Sequence, residues 1–229
     1  GALISGIFGC IMVFKVEKIK FILVPKNIIF RELKTNYTLF ISTISIQAYM
    51  NLSKLIVGSF LGMRDVALYD LGERIISILK TPIFMFSQAI FPKISREKSI
   101  PYINKTMYLV FGITLLGYIV LFYFGDIIIY YFLGEKNLLA LNIVRVLGLS
   151  LIFISLGIFY GGLRLIPFGY NKEYMVVMVA NGLTFIFIIT FLWLCNLINI
   201  YSVCFAYALM EAFGLAYAFY FNYKLKLLR

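Results

Sequence analysis

Six stretches of predominantly apolar residues, separated only by short polar punctuation, run through this chain. A helix crossing a bilayer core needs ~20 such residues, so these stretches restrict the chain to one architecture. Spans are expected at roughly 37–61, 66–91, 106–124, 138–163, 174–195 and 198–223. The runs are continuous over about twenty residues, whereas the strands of a membrane barrel alternate in polarity over about ten. The expectation is an all-α, polytopic membrane protein: a six-helix transmembrane bundle preceded by a truncated helix. Composition agrees. The chain has 229 residues, 62% of them apolar and 14% charged, against ~45–50% and ~25% in soluble domains, and its mean hydropathy is +0.96.

Three segments follow from this pattern. Residues 1–14 (GALISGIFGCIMVF) are too short for a span and lack the basic start and small-residue cleavage site of a signal peptide, so they read as the end of a truncated transmembrane helix. Residues 15–36 carry Lys15, Lys18, Lys20, Lys26, Arg31 and Lys34, too much charge for lipid, and read as a basic cytoplasmic linker between lobes. Residues 37–229 form the six-helix lobe. Between the third and fourth spans, Gly125-Asp126 is expected to end the helix, leaving a short aromatic piece up to Leu133 at the membrane interface.

The formal net charge is +11, but the basic residues sit in alternate loops and form no stripe for nucleic acid. The linker cations, Lys93, Arg96, Lys98, Lys105, Arg164, Lys172, Lys224, Lys226 and Arg229 fall on one side, and only Arg64 and Lys136 on the other. Basic residues accumulate in cytoplasmic loops, which places the linker and the C-terminus in the cytoplasm. The chain has no His, and Cys10, Cys195 and Cys204 lie in apolar contexts without C-x-x-C spacing. A metal site, a disulfide framework and a His-based catalytic triad therefore have no support, and the cysteines read as packing residues. No phosphate-binding glycine loop appears, so neither a cofactor nor ATP-driven pumping is expected. Gly112, Gly117, Gly148, Gly157, Gly161 and Gly162 read as points of close helix packing.

Charged groups inside spans cost ~2.5–3.5 kcal/mol each on insertion scales and usually face a bundle interior or a wet cavity. Seven are candidates: Lys54, Asp70, Glu73, Arg74, Lys80, Arg145 and Glu211. On a helical projection of the second span, Glu73, Arg74, Ser77, Lys80, Thr81 and Gln88 fall within about 80° of Asp70, giving one polar face along its length. Pro82 removes a backbone hydrogen bond beside Lys80 and predicts a kink there. Two readings stand for this face: internal pairing, with Asp70 and Arg74 at i, i+4 spacing, or the lining of a substrate pathway. Lys54 reads as cavity lining or as snorkelling outward, and Arg145 as an anchor or as cavity lining. Glu211 has no basic partner within its helix, so it must be protonated, paired across helices or wet.

The run TISIQAYMNLSKLIVGSFLGMRDVALYDLGERIISILKTPIFMFSQAIFPKISR, Thr43 to Arg96, resembles the start of the second lobe in O-antigen and related polysaccharide flippases of the MATE-like exporter superfamily. FGDIIIYYFLGEKNLLALNIVRVLGLSLIFISLG and GLRLIPFGYNKEY agree with it in order and spacing. The resemblance implies two lobes, alternating access and a substrate of undecaprenyl-diphosphate-linked sugars in a bacterial cytoplasmic membrane. It implies no enzymatic step. Arg74, Lys80, Lys54, Arg145 and Gln88 would meet the anionic substrate, with Asp70, Glu73 and Glu211 as ion-coupling candidates. The partners implied are the bilayer, the lipid-linked oligosaccharide, an N-terminal lobe, and a polysaccharide polymerase with glycosyltransferases. A drug or metabolite exporter of the same superfamily is the alternative, ahead of a membrane glycosyltransferase or polymerase.

Overall fold

A computed structural model describes residues 25–228 together with Gly6, Phe8, Met12 and Phe14. Most of the expected truncated helix, with Cys10, and the linker cations Lys15, Lys18 and Lys20 lie outside the described residues. The chain forms two compact units, Gly1–Tyr37 and Thr38–Arg229. Six long helices, and no strand, occur among the described residues: α1 (Lys26–Phe60), α2 (Met63–Glu97), α3 (Ile100–Leu133), α4 (Leu138–Gly157), α5 (Asn171–Leu194) and α6 (Ile200–Lys224). A π-helical turn, Ile158–Gly162, continues α4.

Five of these, α2, α3, α4 with its π turn, α5 and α6, are long and apolar enough to cross a membrane. The protein is an all-α polytopic membrane protein, and its outward faces are accordingly apolar: Ile113, Leu116 and Ile127 on α3 and Leu183 and Phe187 on α5 are all exposed. The first of the six expected spans lies in α1, which has the length but is not among the five. Its shortfall comes from a dense set of hydroxyl and amide side chains. Five of those groups bond within the helix: Ser42 donates to the Thr38 carbonyl, Thr43 to Leu39, Ser45 to Ile41, Asn51 to Gln47 and Ser53 to Met50. Such back-bonding lowers the cost of placing them in lipid.

The helix ends follow from local chemistry. Gly62 at φ 99° makes the turn from α1 to α2, and Gly134 at φ 73° closes α3, conformations that favour glycine. Asn137 caps α4 through the Ala140 amide, and Asn199 forms a reciprocal capping box with Ser202 at the start of α6. The α2–α3 turn is tight, Lys98 adopting a left-handed conformation and Ser99 capping α3.

The expected break at Gly125-Asp126 is absent, and α3 runs unbroken to Leu133. The glycine serves packing instead: a Cβ on Gly125 would stand 2.7 Å from Leu141 Cδ1 on α4. Of the glycines read as packing points, Gly148 does admit the Tyr118 ring, at 2.8 Å from a would-be Cβ, whereas Gly112, Gly157 and Gly162 face open space. Gly72, unremarked in the sequence, lies against Ile143, at 2.8 Å from a would-be Cβ.

The helix α4 is central, packing against α2, α3 and α6. Its span is 56% buried, against 22% for α3 and for α5. The main core joins Ile75 and Ile76 of α2, Leu121 of α3, Val144, Leu147 and Leu151 of α4, and Val203 and Met210 of α6. A second cluster, with Ile94, Ile103, Met107 and Phe159, lies where α2, α3 and α4 approach the basic loops.

Arg164, counted among the loop cations, is instead 2% exposed. It lies over the Tyr160 ring and donates from Nη2 to Asn104 of α3, while Nε and Nη1 have no partner among the described residues. The turn that follows α4 folds inward, which hydropathy does not register.

Candidate functional site

The polar residues of α2 do not share one face. Its buried seam runs through Tyr69, Gly72, Ile76, Lys80, Ile83, Ser87, Ile90 and Ile94, at spacings of three or four. Lys80 therefore belongs to the interior, where it is 8% exposed. Arg74, Ser77, Thr81 and Gln88 remain on an exposed stripe. On the projection Lys80 falls at the edge of the polar arc, and what turns it inward is a partner on α6. Lys80 Nζ donates to Tyr207 Oη at 3.2 Å and stands 5.1 Å from that ring's centroid.

Lys80 opens onto a cavity of about 530 Å³ lined by α1, α2, α4, α5 and α6, entirely within the unit Thr38–Arg229. Tyr49 of α1, Asn181 of α5, and Tyr207 and Glu211 of α6 gather at the level of Lys80. From there the cavity follows α2 through Ser87 to Phe91, about 16 Å at 1.5 Å per residue. It ends at Leu163 and Ile166, beyond the π turn. The lower walls are largely apolar, so the cavity has a polar head and a greasy body. Pockets that bind small ligands combine surfaces of these two kinds at volumes of ~300–1,000 Å³.

Glu211 lines the same cavity and is flanked by Tyr207 and Asn181. Asn181 is 2% exposed, and its Oδ1 has no hydrogen-bond partner among the described residues. Gly214 makes room for this amide: a Cβ there would be 2.7 Å from Asn181 Nδ2.

The remaining candidates assemble elsewhere. Lys54 joins α1 to α2 by ion pairs to Asp70 Oδ1 at 2.8 Å and Glu73 Oε2 at 2.9 Å, and Arg74 Nε pairs with Asp70 Oδ2 at 2.7 Å. Two cations thus meet two carboxylates, and Lys54 bonds across the hairpin. Arg145 is not in the cavity wall; its Nε and Nη2 reach the Phe122 carbonyl at 3.2 and 3.0 Å, and its guanidinium lies over the Phe122 ring. Gln88 lines the cavity from its exposed side. Pro82 lies inside a helix that continues without interruption to Glu97.

The structure thus brings Lys80, Glu211 and Gln88 to one cavity, groups Lys54, Asp70, Glu73 and Arg74 in a second cluster, and leaves Arg145 apart. Sequence reasoning missed Asn181 and did not offer Tyr49 or Tyr207 as site residues. The lone amide of Asn181 within MVVMVANGLTFIFIIT was the available signal.

Fold and site together define a multi-pass α-helical membrane protein with a polar-headed cavity inside one helical unit. A family model described as polysaccharide biosynthesis protein matches residues 1–98, and this part of the chain is similar to that family. No curated protein and no solved structure matches the chain.

Proposed function

We propose that this chain is the C-terminal lobe of a transporter that flips undecaprenyl-diphosphate-linked oligosaccharide across the bacterial cytoplasmic membrane for O-antigen or related polysaccharide synthesis. It does so without enzymatic chemistry and in partnership with an N-terminal lobe of the MATE-like type. The similarity of residues 1–98 to a polysaccharide biosynthesis family supports the process. The observation that carries the transport reading is that a buried Lys80 and Glu211 line one cavity among the helices. Ionised groups held at that depth mark substrate or ion pathways.

In this reading the exposed stripe of α2, with Arg74, Ser77, Thr81 and Gln88, faces the passage between lobes. Rocking of the lobes exposes it alternately to each side. Glu211 is the ion-coupling group, Asp70 and Glu73 shape the passage with Lys54, and the C-terminus is cytoplasmic. Export of a drug or metabolite draws on one observation, the neutralisation of Lys54 and Arg74 by Asp70 and Glu73, which leaves that end of the passage without excess positive charge.

Complementation of a flippase-deficient strain by the full-length protein tests the proposal. Lys80→Ala and Arg74→Ala are each expected to reduce surface polysaccharide by roughly tenfold or more, the effect of losing ~1.4 kcal/mol of substrate interaction. Unchanged export in both variants would overturn it.

A further inference from the structure

We infer that the cavity beside Lys80 binds one single-chain lipid with an uncharged, hydroxyl-bearing head, seated with that head at Lys80 and its chain along α2 toward Phe91. Length and walls define the chain. Protein interiors pack closely and hold few voids larger than a water molecule, so a cavity of about 530 Å³ is a place for an occupant. From Lys80 to Phe91 it runs about 16 Å at 1.5 Å per residue. That is roughly half of the ~30 Å hydrocarbon core of a bilayer, the reach of one chain in one leaflet. Phe84, Phe91, Ile154, Leu163 and Met178 line this length, and water would find few partners among them. Gly157 and Gly162 line it from α4 and the π turn, and a Cβ at either would have no neighbour within 4 Å. Phe84 and Gln88 are exposed as well as cavity-lining, so the cavity has a mouth on the outer side of α2.

The polar end selects the head group. The one hydrogen bond that Lys80 makes among the described residues goes to Tyr207 Oη at 3.2 Å, so its ammonium has N–H groups left to donate. Asn181 Oδ1, on α5, is buried with no hydrogen-bond partner among the described residues and is free to accept. A hydroxyl-bearing head answers both needs, because it accepts as well as donates. Lys80 and Glu211 are the two charged side chains in the lining, and their formal charges cancel. A carboxylate or phosphate head would add an unbalanced charge in a place where charge is costly, and a phospholipid would bring a second chain as well. An uncharged head adds neither. Binding of this lipid requires the cavity and not the transport reading drawn from it, so the two can fail separately.

The test is photolabelling of the full-length protein in nanodiscs with dodecanol carrying a diazirine at its chain end, followed by peptide mapping. Saturable labelling is expected around Phe91, Leu163 and Met178. Dodecanoate and a phosphatidylcholine bearing the same diazirine are expected to label only exposed faces, such as that of Phe187. Gly157→Leu, placed where a Cβ has open space, is expected to abolish cavity labelling while leaving the unfolding midpoint at or above that of wild type. Should it not fold, Gly162→Leu fills the same wall. Lys80→Met keeps the apolar stem and removes the donors, and is expected to raise the half-saturating dodecanol concentration by about tenfold, the effect of one lost hydrogen bond. Several results overturn the inference: no saturable labelling in the cavity, equal labelling there by dodecanoate or the phospholipid, labelling that survives cavity filling, or saturation unmoved by Lys80→Met. Cavity labelling that stands while Lys80→Ala and Arg74→Ala export normally in the complementation assay would keep the lipid site and remove the transport reading instead.

Discussion

Gly214 and Asn181 stand so close that any side chain at 214 must displace the amide, since a Cβ would lie 2.7–2.8 Å from three of its atoms. Overpacking of this kind costs ~1–3 kcal/mol. Gly214→Ala is therefore expected to lower the unfolding midpoint of the full-length protein, and Asn181→Ala to relieve part of that loss. Additive effects in the double variant would show that the two positions do not meet. The Lys54 cluster behaves differently, because its members are partly exposed, Arg74 by 75% of its side chain. Exposed ion pairs contribute at most ~1 kcal/mol. Arg74→Ala should leave the midpoint nearly unchanged, and its expected export defect then reports on the passage and not on folding. Seven intramembrane charges were legible in the sequence because hydropathy makes each conspicuous. Their partners were not: a helical projection assigns Lys80 to an arc, but only the Tyr207 hydroxyl on a distant helix decides which way it turns.

The π turn in α4 leaves the Tyr160 carbonyl to be satisfied from outside the helix, and Asn222 of α6 does so, its Nδ2 lying 2.6 Å away. Asn222 is fully buried, and the same Nδ2 also reaches its own helix at Ala218. An unsatisfied buried carbonyl costs ~1–3 kcal/mol. Asn222→Ala is expected to destabilise by that amount and to speed hydrogen exchange selectively across 158–169; unaltered exchange there would exclude the clasp. On the other side of α4, Arg145 donates to the Phe122 carbonyl while the Tyr118 hydroxyl donates to the Arg145 carbonyl at 3.4 Å. All six helices were legible from their apolar runs, and five of them are long and apolar enough to cross a membrane. What escaped was register: Gly125 looked like a terminator because Asp126 follows it, yet a helix continues past a glycine when its neighbour fills the gap, as Leu141 does. The inward fold of Arg164 escaped for a similar reason, since a π turn leaves no mark in hydropathy.

At the scale of the molecule, labelling can separate the apolar exposed faces from the polar stripe of α2. In a cysteine-free full-length protein, Ser77→Cys and Thr81→Cys on the polar stripe of α2 are expected to react with a membrane-impermeant thiol reagent. Phe187→Cys on α5 and Ile113→Cys on α3 are not. Equal reactivity at the four positions would mean that the stripe faces lipid. The lengths of α2 and α3, 35 and 34 residues, carry a further consequence. At 1.5 Å per residue they extend for about 50 Å, some 20 Å more than the hydrocarbon thickness of a typical bilayer, so the pair must lean or protrude by an amount that the surrounding lipid sets. Because Lys80 is part of α2, acyl-chain length becomes a setting on the cavity itself: thin membranes would tip its charged wall one way and thick ones the other, with no ligand involved.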